Sequence, residues 1–192
     1  LASGASVTVN NAYAFNIVNN MADQTQPPFS LAMVSGANTW NGSFNLTVNA
    51  PSLSFGSITI SDPSGNNNGK IDPGETVTVT IPLQNSGHAS SASGSGTLTC
   101  STTGITINTG TSSFSAISAS GSATLTFNLT ASSSMATGSS ASLVFNATAG
   151  AYSASKTESA DVGAPTVLTI GTGTSTQTYP IDRYYNYSSH ES

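Results

Sequence analysis

Apolar side chains recur at every second position along most of the chain. Tyr13-Phe15-Ile17, Phe29-Leu31-Met33 and Phe44-Leu46-Val48 do so near the start, and Val77-Val79-Ile81-Leu83 does so again further on. Alternate side chains of an extended backbone point to opposite faces, so each run predicts a half-buried antiparallel strand. The same pattern predicts strands over 53–60, 76–83, 96–100, 105–107, 123–129, 143–147 and 152–158. Gln26-Pro27-Pro28, Asn41-Gly42 and Asn85-Ser86-Gly87-His88 mark turns between them. Pro82 falls on the polar face of its run and predicts an edge strand. Trp40 is expected to cap the core as a packing residue. No stretch carries helical spacing, so the predicted class is all-β, and short strands at regular intervals mean a sandwich.

The order of features appears twice. Leu1-Ala2-Ser3-Gly4 resembles Ile117-Ser118-Ala119-Ser120-Gly121, and Phe15-Asn16-Ile17 resembles Phe127-Asn128-Leu129. Ser30-Leu31 answers Ser142-Leu143, Trp40 falls where Tyr152 does, and Asn49-Ala50-Pro51 answers Gly163-Ala164-Pro165. A period of about 113 residues predicts a tandem repeat. Residues 1–51 would be the second half of one module, 52–164 a complete module, and 165–192 the start of a further one. A lone half-sandwich exposes its core face, so it is expected to be covered by more of a longer polypeptide or by another chain.

Composition narrows the setting. Only 6% of residues are charged, against about 25% in ordinary globular domains, so solubility comes from Ser, Thr, Asn and Gly. A net charge of −5 with three basic residues argues against nucleic acid and anionic membranes as partners. No apolar run approaches the ~18 residues of a membrane span, so no membrane insertion is expected. An extracellular or cell-surface location fits this balance. Cys100 is the sole cysteine and reads as a small hydrophobe. His88 in its turn and His190 near the end of the sequence read as solvated surface histidines. Lys156 and Glu158 share one strand face and predict an ion pair. No cluster of convergent ionisable groups speaks for an enzyme.

The one concentration of oxygen donors is Ser61-Asp62-Pro63-Ser64-Gly65-Asn66-Asn67-Asn68-Gly69-Lys70-Ile71-Asp72-Pro73-Gly74-Glu75. Aligned with the calcium-loop pattern, Ser64, Asn66 and Asn68 take positions one, three and five, and Gly69 takes the sharp turn at six. Lys70 offers its carbonyl at seven, Ile71 points into the core, Asp72 stands at nine and Glu75 at twelve. Ser64 stands where the pattern has Asp, and Asp62 just upstream is the candidate replacement. A hard cation takes six to eight oxygens, which selects Ca²⁺ over zinc where no His or Cys is near. The alternative is a polar turn with no ion. Strands rather than helices flank the loop, so the expectation is a metal-stapled β-loop.

Asp62 to Val77, with Gly65-Asn66-Asn67-Asn68-Gly69 and Ile71-Asp72-Pro73-Gly74-Glu75-Thr76-Val77, is followed by Pro82-Leu83-Gln84-Asn85-Ser86-Gly87-His88-Ala89. Together they resemble the immunoglobulin-like repeats of large exported bacterial surface proteins. Such repeats lie downstream of the catalytic domain in gingipain-like cysteine peptidases and in other cargo of the type IX secretion system. Ile170-Gly171-Thr172-Gly173-Thr174, Tyr179-Pro180 and Tyr184-Tyr185 resemble the opening of a further module. The resemblance implies tandem immunoglobulin-like antiparallel β-sandwich modules and a non-catalytic spacer or adhesive role in a multidomain protein. Its partners would be neighbouring modules or subunits. Two other readings stand beside it: a filament or adhesin subunit assembled by strand complementation, and a carbohydrate-binding module in which Trp40 contacts glycans.

Overall fold

The computed structural model describes residues 2–163, and every regular element among them is a β-strand. β1 (Pro28–Ser35) and β2 (Asn38–Asn45) form a two-stranded hairpin. The remaining strands are β3 (Leu53–Phe55), β4 (Thr59–Ser61), β5 (Thr76–Asn85), β6 (Gly94–Cys100), β7 (Ile105–Thr109), β8 (Thr111–Phe114), β9 (Ser122–Ala131), β10 (Ser139–Ala149) and β11 (Tyr152–Val162). One sheet runs β11-β10-β6-β8, and the other runs β3-β5-β9-β7 with β4 also on β5. All these strand pairs are antiparallel. The two sheets face each other over one apolar core, which makes a β-sandwich.

The alternation explains the sandwich. Val77, Val79, Ile81 and Leu83 of β5 are fully buried, as are Leu125, Phe127 and Leu129 of β9. Leu143 and Phe145 of β10 meet them from the opposite sheet. Phe145 joins the layers: its ring lies 5.8 Å from that of Phe127 and 6.1 Å from that of Phe55, both tilted, the arrangement favoured by ring quadrupoles. Burying one such side chain is worth about 1.5–3 kcal/mol. Cys100 is a free thiol packed against this core.

Pro82 does not mark an edge. β5 pairs with β9 on one side and with β3 and β4 on the other. The Pro82 carbonyl accepts from Gly56 N at 2.9 Å. A residue's N–H and C=O project to the same side of a strand, so the missing N–H faces the same neighbour. The ladder breaks there, and the predicted single strand over 53–60 is split into β3 and β4. A side chain at Gly56 would meet the Pro82 ring at 2.6 Å, so the kink also needs glycine's small size.

Three further expectations are corrected. The run over 13–17 belongs to no strand, and Tyr13, Phe15 and Ile17 are exposed, because a strand needs a partner for its backbone. Trp40 lies in β2 opposite Met33 and half exposed, away from the core, and β2 ends at Asn45 rather than spanning 44–48. β8 carries a single large apolar residue, Phe114, too little for the alternation to reveal it. The expected further module over 165–192, with His190, lies outside the described residues.

Candidate functional site

The acidic loop joins β4 to β5 and is tied into the fold at both ends. Asp62 is fully buried, and its carboxylate accepts Gly69 N at 3.0 Å and Asn68 N at 3.2 Å. Burial by itself pushes this carboxyl up; the hydrogen bonds from Gly69, Asn68 and their neighbours outweigh it and hold the group below its ordinary value. Gly69 takes the left-handed φ of 73° that the predicted turn requires. Ile71 is fully buried as expected, forms a parallel bridge with Val162, and accepts Gly163 N at 2.7 Å. The loop is therefore docked on the strand with which the described chain ends.

Above this anchor four of the predicted site residues converge. Asn66 and Asn68 direct their Nδ2 groups onto Asp72 Oδ2 at 2.6 and 2.8 Å, and Asn66 N donates to Glu75 Oε1 at 3.3 Å. A side chain at Gly65 would overlap the Glu75 carboxylate, so that carboxylate lies directly over the loop backbone. Asn66 Oδ1 accepts Asn68 N, and Asn68 Oδ1 accepts Lys70 N at 2.8 Å. Ser64 and Lys70 are exposed. The arrangement is an amide–carboxylate network in which amide N–H groups, rather than oxygens, face Asp72. Among the described residues no three His, Cys, Asp or Glu side chains gather to hold a metal ion. The donor chemistry at Asn66, Asn68, Asp72 and Glu75 suits a hard cation once both amides turn their oxygens inward.

A second cluster sits at the opposite pole. Asp23 accepts Ala50 N at 2.9 Å and His88 N at 3.3 Å, and its other oxygen lies 2.7 Å from His88 Nδ1. The Ala50 N–H, then the His88 ring, hold this carboxyl down at about 2. His88 thus has an acid partner that sequence adjacency did not show. Asn85 is buried; its Oδ1 accepts Ser52 N and Gly87 N, and its Nδ2 donates to the carbonyls of Ala89, Ile117 and Ser118. Tyr152 OH donates to Met21 O at 3.0 Å. A side chain at Gly87 would collide with the Ala50 carbonyl. Asp23, Asn85 and Gly87 together clamp the Ala50-Pro51 linker onto the sandwich, and Tyr152 ties down Met21 beside it.

The N-terminal segment copies the end of the sandwich bond for bond. Met21 N bonds Val18 O and Met135 N bonds Ser132 O; Thr25 bonds Ala22 O and Ser139 bonds Ala136 O. Gln24 N donates to Val48 O at 2.8 Å, as Gly138 N does to Val162 O at 2.8 Å. Gln24 and Gly138 both have positive φ, and Gly36 and Gly150 open the two-residue hairpin turns at φ 60° and 62°. Turn-to-turn matching sets Trp40 against Ala154, two residues from the predicted Tyr152.

No protein-family model and no curated protein matches the chain.

Sequence reasoning found the loop because its donors are contiguous. It missed Asp23–His88, whose partners lie 65 positions apart, and Asn85, which reads as an ordinary turn residue. The spacing of Asn85 and Gly87 around a polar turn is the one local signal that could have marked them. Lys156 pairs with Glu158 at 2.5 Å as expected, and also donates to Gly56 O at 2.6 Å, at the β3–β4 break.

Proposed function

We propose that this chain is a non-catalytic, immunoglobulin-like structural and adhesive spacer of an exported bacterial surface protein, built from modules in series and stiffened by calcium. The bond-for-bond copy of residues 132–162 by residues 18–48 carries this reading. The positions of the linkers support it. The chain enters the sandwich beside Asn85 and leaves it beside Ile71. Asn85 ends β5 and Ile71 lies just ahead of its start, so the two linkers are separated by roughly the length of that strand, about 30 Å at ~3.4 Å per residue. A module entered at one pole and left at the other lengthens an array by its own long axis. The clamp of Asp23, Asn85 and Gly87 on the linker makes the joint stiff.

Calcium belongs at Asn66, Asn68, Asp72 and Glu75, with Lys70 and Ser64 at the rim and Asp62 holding the loop from below. The ion would cross-link the loop; the chain's own residues set its distance from the exit strand through Ile71. The deciding experiment inserts additional copies of residues 52–164 in tandem and measures the maximum dimension by small-angle X-ray scattering. Growth of about 30–40 Å per copy, the length of one long strand plus a linker, is expected. A particle that thickens without lengthening contradicts the reading.

A further inference from the structure

The N-terminal segment and the second half of the sandwich share a geometry but not a cover. Matching Gly36 to Gly150 lays Phe15 over Leu129, Phe29 over Leu143 and Leu31 over Phe145. The three sandwich residues are fully buried, whereas Phe15 is 51% exposed and Phe29 and Leu31 are only partly buried; on β2, Trp40 is 51% and Phe44 48% exposed where Ala154 and Glu158 are partly buried. The alternation has the same parity in both, so the exposed side chains stand on the face that looks into the core in the sandwich. Part of that core is already assembled. Phe15 lies 4.9 Å from Phe29 at 53°, at the positions of the core residues Leu129 and Leu143. Phe44 stacks on Phe29 at 5.1 Å.

The missing cover can be read from the sandwich. β9, which contains the counterpart of the run over 13–17, is hydrogen-bonded between β5 and β7. The counterpart of the hairpin lies under Phe55 of β3 and beside β6. Other occupants fit poorly. Residues 1–51 contain no Lys or Arg, so nothing there attracts an anionic lipid surface or nucleic acid. A second copy brings one β3–β8 set, and that set already covers its own β9–β11 core, so a copy has no spare set of that kind to offer.

We propose that residues 13–48 form a half-sandwich whose bare inner face takes a first-half strand set of the β3–β8 kind. The set enters on the N-terminal side of the segment, as β3–β8 precede β9. Its chemistry is that of β5: uncharged, with Val, Ile and Leu at alternate positions and Thr between them. Pairing with it supplies the ladder that the run over 13–17 lacks. This deepens the spacer reading and rests on it.

The test joins a second copy of residues 52–116 to the N-terminus of the full chain and follows Trp40, the sole tryptophan. Trp40 emission is expected to shift to the blue, its acrylamide quenching to fall severalfold, and a second cooperative unfolding transition to appear. Leu31→Ser in that extended chain should abolish the second transition and keep the first. A Trp40 that stays solvent-exposed, or a second transition indifferent to Leu31→Ser, overturns the proposal. In either case growth of a tandem array by one module length per copy would leave the spacer reading standing.

Discussion

Asn85→Ala is the substitution from which the joint should suffer most. The buried amide has five partners: its oxygen accepts from two backbone N–H groups, and its two N–H groups are shared among three carbonyls. The carbonyls of Ile117 and Ser118 keep other partners, because Ser91 N and Gly121 N also donate to them. The heavier loss falls on the acceptor side. Gly87 is buried, and its N–H would be left without the Asn85 oxygen. One orphaned buried donor costs about 1–3 kcal/mol, and each exchanged bond adds roughly 0.5–1.5 kcal/mol net. Counting the Gly87 orphan and one or two of the remaining bonds gives on the order of 3–4 kcal/mol, a large part of the ~5–15 kcal/mol that holds a domain together. Urea unfolding of wild type and variant, followed by far-ultraviolet circular dichroism, measures the difference at constant m-value. Asn108→Ala serves as the control. It removes an exposed bond to Thr130 Oγ1 and should change stability by less than about 0.5 kcal/mol. If Asn85→Ala also costs less than about 1 kcal/mol, the amide is not the organiser described, and the reasoning from burial and bond count fails.

Other outcomes follow from the loop and the clamp. Excess calcium should raise the melting temperature over that in chelator, and Asp72→Ala or Glu75→Ala should erase the gap; superimposable wild-type curves would remove the ion from the account. Gly65→Ala drives a methyl group into the Glu75 carboxylate and should abolish the calcium-dependent gap while leaving the chelated protein folded; a preserved gap would show that Glu75 is not a ligand. The Asp23 carboxyl is held at about 2 against an ordinary 3.8. A group whose folded value is depressed stabilises above its unfolded value and loses that contribution as pH falls toward the folded one. Stability should therefore decline between about pH 4 and pH 2, and Asp23→Asn should flatten part of that decline; an unchanged acid profile in the variant would contradict the clamp.

The fold class was legible because the core strands bury bulky aliphatic residues on one face and set Thr or Ser on the other, as Val77, Val79, Ile81 and Leu83 do. The same rule failed where backbone partners decide. The run over 13–17 has the alternation of a strand and no ladder to join, and Pro82 breaks a ladder on one side of an interior strand. β8 lies in a sheet through its pairing with β6, which a Thr-Ser-Ser stretch does not advertise. In the loop, donor identity and the inward Ile71 could be read directly from spacing. The direction of each amide could not, since Asn66 and Asn68 can present either oxygen or nitrogen to Asp72.

Stretching the full chain by its ends in a single-molecule force experiment tests the spacer account most directly. The sandwich, whose strands run from Leu53 to Val162, should resist and then yield in one cooperative step. At ~3.6 Å per residue that step should release about 350 Å. Gradual extension with no step, as a chain without a mechanical unit would give, contradicts the account.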